Sequence, residues 1–215
     1  MREYLIQAIL EEKIVAIARG IAGKQILDIA RALLEGGIRF IEVAFDHSSK
    51  DGRRETLETI ELLNDEMREE VEIGAGTVLT PEQVDYAQQA GAKYIISPNV
   101  NPDVIARTRE LDLVSIPGAF TPSEVAMAYE RGADIVKLFP ADALGPRYVK
   151  ALRAPLGHIP LMATGGITAM NIPDFLGAGA VCFGVGGSLV TPLAESAQCL
   201  IDNARAIRAA VSDKR

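Results

Sequence analysis

The sequence predicts an α/β fold, a TIM (β/α)8 barrel with an extra N-terminal helix. Short apolar runs of β-strand character alternate with polar–apolar stretches of helical period along the whole chain, and eight such runs occur. Glycine stands just before many of the runs, where it can end the preceding helix. Strands separated by helices build right-handed parallel βαβ units, and nearly continuous apolar strands suit a parallel sheet covered on both faces. Eight units point to a barrel at the small end of its size range. A doubly wound open sheet competes with it. Against that architecture, the first run ends in Ala18-Arg19-Gly20 and no GxGxxG follows.

An amphipathic helix over about 2–11 comes first, then the run Lys13–Arg19 and a helix over about 23–36 that ends in Glu35-Gly36-Gly37. The run Phe40–Phe45 precedes a helix over about 51–70, and Glu72–Val78 precedes one over about 81–90. The next runs are Tyr94–Pro98 and Leu113–Ala119, with helices over about 101–110 and 122–131. Thr80-Pro81, Asn101-Pro102 and Thr121-Pro122 open three of these helices with an N-cap followed by proline at the first helical position. The last runs are Ile135–Pro140, Pro160–Gly166 and Val181–Gly187, with helices over about 146–154, 169–178 and 193–212.

A chain of 215 residues, 48% hydrophobic, can bury one sizeable core, so residues 1–215 read as a single barrel domain. The net charge of −7 and the lack of a Lys/Arg-rich run argue against nucleic acid as a partner. Cys182 and Cys199 belong to no CxxC pair. With no signal-peptide core and no apolar run near the length of a membrane span, a cytoplasmic protein without a membrane partner is expected.

In a barrel the site lies at the C-terminal ends of the strands. Lys137 stands in the middle of Ile135-Val136-Lys137-Leu138-Phe139, the only one of seven lysines so placed within such a run. Burial there disfavours its ammonium form and makes the amine a nucleophile suited to Schiff-base chemistry; the alternative is a structural buried ion pair. Glu42 is a lone charge in Phe40-Ile41-Glu42-Val43. Even-numbered strands feed the same barrel layers, so the second and sixth runs can bring Glu42 and Lys137 to similar height. A carboxylate there could relay protons; otherwise it makes a salt bridge at the rim.

The seventh run ends in Thr164-Gly165-Gly166 and the eighth in Gly186-Gly187-Ser188, where barrels often hold phosphate on backbone N–H groups. Tight turns alone would also explain these glycines. Thr77 can offer its hydroxyl and amide to a carboxylate, and Arg19 is either a carboxylate clamp or a solvated rim arginine. Two histidines, His47 and His158, make a zinc site improbable, although Asp46, Glu42 and Asp142 leave a Mg2+ site open. No GxSxG turn supports a hydrolase.

Ile41-Glu42-Val43, Gly74-Ala75-Gly76-Thr77-Val78, Ile96-Ser97-Pro98, Pro117-Gly118, Lys137-Leu138-Phe139-Pro140, Thr164-Gly165-Gly166-Ile167 and Gly186-Gly187-Ser188 occur in the order found in one family. Over nearly its whole length the chain resembles the 2-keto-3-deoxy-6-phosphogluconate (KDPG) and 4-hydroxy-2-oxoglutarate (KHG) aldolases. The resemblance implies a class I aldolase without metal or other cofactor, acting on a small 2-keto acid and assembled as a homotrimer. It implies that Lys137 forms the imine and Glu42 is the general acid/base. Phe139 would pack on the pyruvyl portion, Thr77 and Thr164 would hold the carboxylate and nearby polar groups, and Gly165, Gly166 and Ser188 would bind phosphate. Pro98, Gly187 and Arg19 complete the substrate-binding set. Many members have an arginine four residues after the glutamate, where this chain has Asp46 followed by His47, and Pro98-Asn99 resembles members acting on the galactonate epimer. Two other functions remain open at this stage: a phosphate-binding barrel isomerase or epimerase, and a non-catalytic sugar-phosphate binder.

Overall fold

The computed structural model describes residues 1–21, 23–190 and 196–212. Among these, nine strands form one all-parallel sheet: β1 (Ile14–Ala18), β2 (Phe40–Ala44), β3 (Glu72–Gly76), β4 (Tyr94–Ile96), β5 (Val114–Ile116), β6 (Gly118–Ala119), β7 (Val136–Leu138), β8 (Leu161–Thr164) and β9 (Cys182–Val185). The hydrogen-bonded order is β5-β4-β3-β2-β1-β9-β8-β7-β6. Its two ends, β5 and β6, are successive pieces of the same run. The expected fifth strand is divided at Pro117, which has no N–H for a ladder. The upstream piece pairs with β4, the downstream piece with β7, and the Pro117 carbonyl accepts from Lys137 N at 2.9 Å. The barrel closes there.

The helices are α1 (Arg2–Glu12), α2 (Gln25–Glu35), α3 (Gly52–Met67), α4 (Pro81–Gln89), α5 (Pro102–Glu110), α6 (Pro122–Glu130), α7 (Ala141–Arg153), α8 (Ile172–Ala178) and α9 (Ala197–Ser212). Thr80 and Thr121 close capping boxes with Gln83 and Glu124, and Asn101 accepts from Asp103 N at 3.0 Å. The helix expected to begin at Pro146 begins at Ala141 instead, because a first turn precedes the break at Gly145, where φ is 70°. The helix expected from 169 begins at Ile172, behind a turn that ends in Asn171. Residues 193–195 of the last expected helix lie outside the described residues. No described helix is long and apolar enough to cross a membrane.

Strand alternation sorts the apolar residues into two cores. Ile14, Ala16, Ile41, Val43, Ile73, Ala75, Ile95, Val136, Leu138, Ala163, Phe183 and Val185 meet the helices outside the barrel. Val15, Phe40, Tyr94, Ile96, Val114, Ile116, Ile135, Met162 and Cys182 fill its interior, and Leu5 and Ile9 of α1 join them from the N-terminal end. Helix α1 is tied down there by an ion pair from Arg2 to Asp134, which also accepts from Arg109 at 3.0 Å and from Ser115 N at 2.9 Å. The space left inside the barrel therefore lies toward the C-terminal strand ends.

Candidate active site

Inward positions above the apolar layer carry polar groups. Glu42 follows Phe40 by two residues on β2, Lys137 follows Ile135 on β7, and Thr164 follows Met162 on β8. All three are buried, with 1%, 5% and 3% of their surface exposed, so their polar ends lie in a low-dielectric interior. Glycines on neighbouring strands make the room. A Cβ on Gly76 would stand 1.7 Å from Glu42 Oε1, and one on Gly184 would stand 2.6 Å from Thr164 Oγ1. Gly74 leaves space for the Tyr94 ring and Gly118 for the Pro98 backbone.

A cavity of about 490 Å3 opens above this layer. Every residue of the expected catalytic and substrate-binding set is on its wall: Arg19, Glu42, Thr77, Pro98, Lys137, Phe139, Thr164, Gly165, Gly166, Gly187 and Ser188. Arg19 continues the inward alternation of β1, and its Nη2 donates to Thr77 Oγ1 at 3.2 Å. Phe139, half exposed at the rim, places its ring centroid 5.0 Å from Lys137 Nζ. Ser97 Oγ donates to the Val78 carbonyl at 2.7 Å and thereby fixes the β4 end that carries Pro98.

Burial pushes the Lys137 ammonium below its usual range; the Glu42 carboxylate opposes that and Arg19 adds to it. Burial likewise pushes the Glu42 carboxyl up, against the pull of Lys137 and Arg19. Both groups are thus driven toward their neutral forms. No direct ion pair or hydrogen bond joins them, and Glu42 Oε2 and Thr164 Oγ1 are buried without a hydrogen-bond partner among the described residues. The buried ion pair that the sequence leaves open is not formed. A water or a substrate oxygen would satisfy both atoms, while the amine remains able to attack.

The two glycine turns face each other. Gly165 and Gly166 have φ of 99° and 63°, and a Cβ on Gly166 would strike Asp142. Ser188 Oγ donates to the Ile167 carbonyl at 2.5 Å and links the turns. Its proton is therefore engaged with the protein, so an anion at this place would meet backbone N–H groups rather than a free hydroxyl donor.

Asp46 is absent from the cavity wall. Its carboxylate accepts from Ser48 N and Oγ at 2.8 and 2.6 Å, bonds that hold it below the usual carboxylate range. Glu42, Asp46 and Asp142 do not gather into a metal-holding group, and no set of three or more His, Cys, Asp or Glu does so among the described residues. Gly186 of the expected glycine turn also lines the cavity, and so do Ile17, Ile167, Thr168 and Gly184, which carried no expected role. Ile17 was legible from the inward alternation Val15–Ile17–Arg19. Asn171 escaped notice too. Its amide accepts from Thr168 N and donates to the Gly166 carbonyl, both at 2.8 Å, which fixes the loop behind the first glycine turn.

Residues 5–202 match the model of the family described as KDPG and KHG aldolase. The chain belongs to this family. It is 36% identical over 184 residues to a probable 2-dehydro-3-deoxy-6-phosphogalactonate aldolase of Rhizobium meliloti, a match covering 85% of this chain and 84% of that one. A native KDPGal structure superposes with a TM-score of 0.84 at 32% identity, over 93% of this chain and 94% of the other. The KDPG aldolase of Legionella pneumophila, captured with pyruvate as a covalent carbinolamine at low pH, gives 0.77 at 27% identity over 95% of each chain. As a KDPG/KHG aldolase the chain is a carbon–carbon lyase of class I, cleaving a 2-keto-4-hydroxy acid to pyruvate and an aldehyde. The isomerase and non-catalytic readings are set aside by this membership.

Proposed function

We propose that Lys137 is the imine-forming amine and Glu42 the proton carrier for reversible cleavage of a phosphorylated 2-keto-3-deoxy sugar acid. The observation that carries the reading is the pair itself: two buried opposite charges, each pushed toward neutrality, share one cavity without neutralising each other. Neutral Lys137 adds to C2 of the substrate, and the carbinolamine loses water to give a protonated imine. That cation accepts the electron pair as the C3–C4 bond breaks. Glu42, through a water, takes the C4 hydroxyl proton, and the aldehyde leaves. The enamine is then protonated at C3 with Glu42's help, and hydrolysis frees pyruvate and Lys137.

Arg19 and Thr77 take the carboxylate, Phe139 packs on the pyruvyl portion, and Thr164 bonds a neighbouring oxygen. The turns at Gly165-Gly166 and Gly187-Ser188 take the phosphate, which yields glyceraldehyde 3-phosphate as the aldehyde; glyoxylate would be the product from an unphosphorylated 4-hydroxy-2-oxoglutarate. The name of the R. meliloti relative favours the galactonate epimer over the gluconate one. The protein acts in the cytoplasm as a homotrimer of single barrel domains. Phe120 and, on α6, Met127 and Tyr129 leave large apolar surface exposed, in keeping with an interface; sedimentation velocity tests the trimer.

Borohydride reduction in the presence of pyruvate, followed by peptide mass spectrometry, tests the imine. A reduced adduct on Lys137 is expected, and active protein that carries none would sink the proposal. Comparing kcat/KM for the two phosphorylated epimers tests the substrate assignment, which a preference for the gluconate epimer would overturn.

A further inference from the structure

We infer that His47 is a positioning residue for the carboxylate end of the site, acting through Thr77 on Arg19. The inference rests on the reading above only in the end of the substrate that Arg19 and Thr77 receive. Phe45 N donates to the Gly76 carbonyl at 2.8 Å, one residue beyond the β2–β3 pairing. The chain after Phe45 then turns at Asp46, whose carboxylate accepts from Ser48 N, and leaves His47 in the turn. The imidazole supplies the next donor from its side chain, with Nε2 2.9 Å from the Thr77 carbonyl. A carbonyl only accepts, so Nε2 carries the hydrogen. The ring lies beside that of buried Phe45, with centroids 6.4 Å apart and a 33° tilt.

What His47 holds is an unusual conformation. Thr77 has φ of 57°, the left-handed region that a β-branched residue seldom enters. It is restrained from two sides, its carbonyl by His47 and its hydroxyl by Arg19. Thr77 and Arg19 line the cavity, and His47 does not. Arg19 is the only guanidinium among the described residues on that wall. Releasing the Thr77 carbonyl lets this residue relax toward an extended backbone, and its hydroxyl then leaves Arg19. His47 thus sets the geometry of the anion clamp from outside the cavity. Both the neutral and the cationic ring can donate from Nε2, so the contact does not depend on the charge of the ring.

The test measures the pyruvate concentration that half-saturates borohydride trapping of Lys137 in wild type, His47→Ala and His47→Gln. A glutamine amide can donate to the same carbonyl. Loss of one hydrogen bond should raise the half-saturating concentration about fivefold in His47→Ala with an unchanged plateau, while His47→Gln stays within about twofold of wild type. An unshifted alanine variant overturns the inference, and so does a glutamine variant as impaired as alanine, since that outcome makes the imidazole itself a substrate contact. A wild-type protein that takes up no adduct sinks the imine reading instead. Pyruvate binding by the same three proteins is then measured by calorimetry, where the same alanine–glutamine split upholds the positioning role and its absence overturns it.

Discussion

Glu42 Oε1 occupies the place where a Cβ on Gly76 would stand, only 1.7 Å away. The glycine before Thr77 is thus a seat for the carboxylate. Gly76→Ala should displace Glu42 without removing it, in a barrel that still folds. Imine trapping on Lys137 should persist while kcat for cleavage drops by about 100-fold, the lower range for loss of a positioned acid–base group. Pre-steady-state trapping set beside steady-state turnover separates the two effects, and equal losses in both would contradict the assignment.

Thr164 carries a buried hydroxyl oxygen without a hydrogen-bond partner among the described residues. Thr164→Val keeps the shape and removes the polar atom, so the free protein should gain about 1 kcal/mol of stability, since an unsatisfied buried group costs about that or more. KM should rise at the same time, because the substrate loses a partner. Urea denaturation and steady-state kinetics on one preparation check both halves; a variant that is both less stable and equally active would refute the role given to Thr164.

The raised pKa of Glu42 has a defined consequence for stability. A carboxyl with a higher pKa folded than unfolded adds stability that is fully present below the unfolded value of about 4.5 and is lost as pH rises through the folded value. Glu42→Gln removes this dependence. Melting temperatures of variant and wild type should lie close together below that unfolded value and diverge above it, with the variant the more stable at neutral pH. Lys137 behaves in the opposite sense, since its folded pKa lies below the unfolded value of about 10.5. Its contribution is present above that value and is lost as pH falls through the folded pKa. A melting-temperature difference that is flat across the acidic-to-neutral range would show that Glu42 titrates normally.

Helix α1 closes the barrel with Leu5 and Ile9, which are buried among interior residues from the strands. Ile9→Ala should cost about 2–5 kcal/mol, as truncation of a fully buried aliphatic side chain usually does. The kcat of the folded fraction should be unchanged, because the site lies at the other end of the barrel. Urea midpoints and activity per folded molecule are the measurements.

The barrel was legible because apolar runs alternated with helical stretches, many of the runs were preceded by glycine and three helices opened on a cap followed by proline; the site was legible because charges inside such runs are rare. The division of the fifth run was not legible, since Pro117 looked like the end of a strand rather than a hinge between two partners. The first turn of α7 was hidden because Gly145-Pro146 looks like the start of a helix. Gly74, Gly76 and Gly184 carried no sign in one dimension of what stands opposite them. Only the folded sheet shows which side chain fills the volume each glycine leaves. Asp46 and His47 looked like a gap in the anion clamp, whereas the structure turns Asp46 toward Ser48 and puts His47 behind Thr77.

With α1 seated in its floor, the barrel is, among the described residues, a well that opens at the C-terminal strand ends. If substrate enters and both products depart by that opening, traffic is sequential. The aldehyde half, formed on the outer side of the cleaved bond, has to vacate that passage before pyruvate can follow. On the proposed mechanism, the covalent bond to Lys137 would keep the remaining three-carbon fragment from escaping as a reactive enolate throughout that interval.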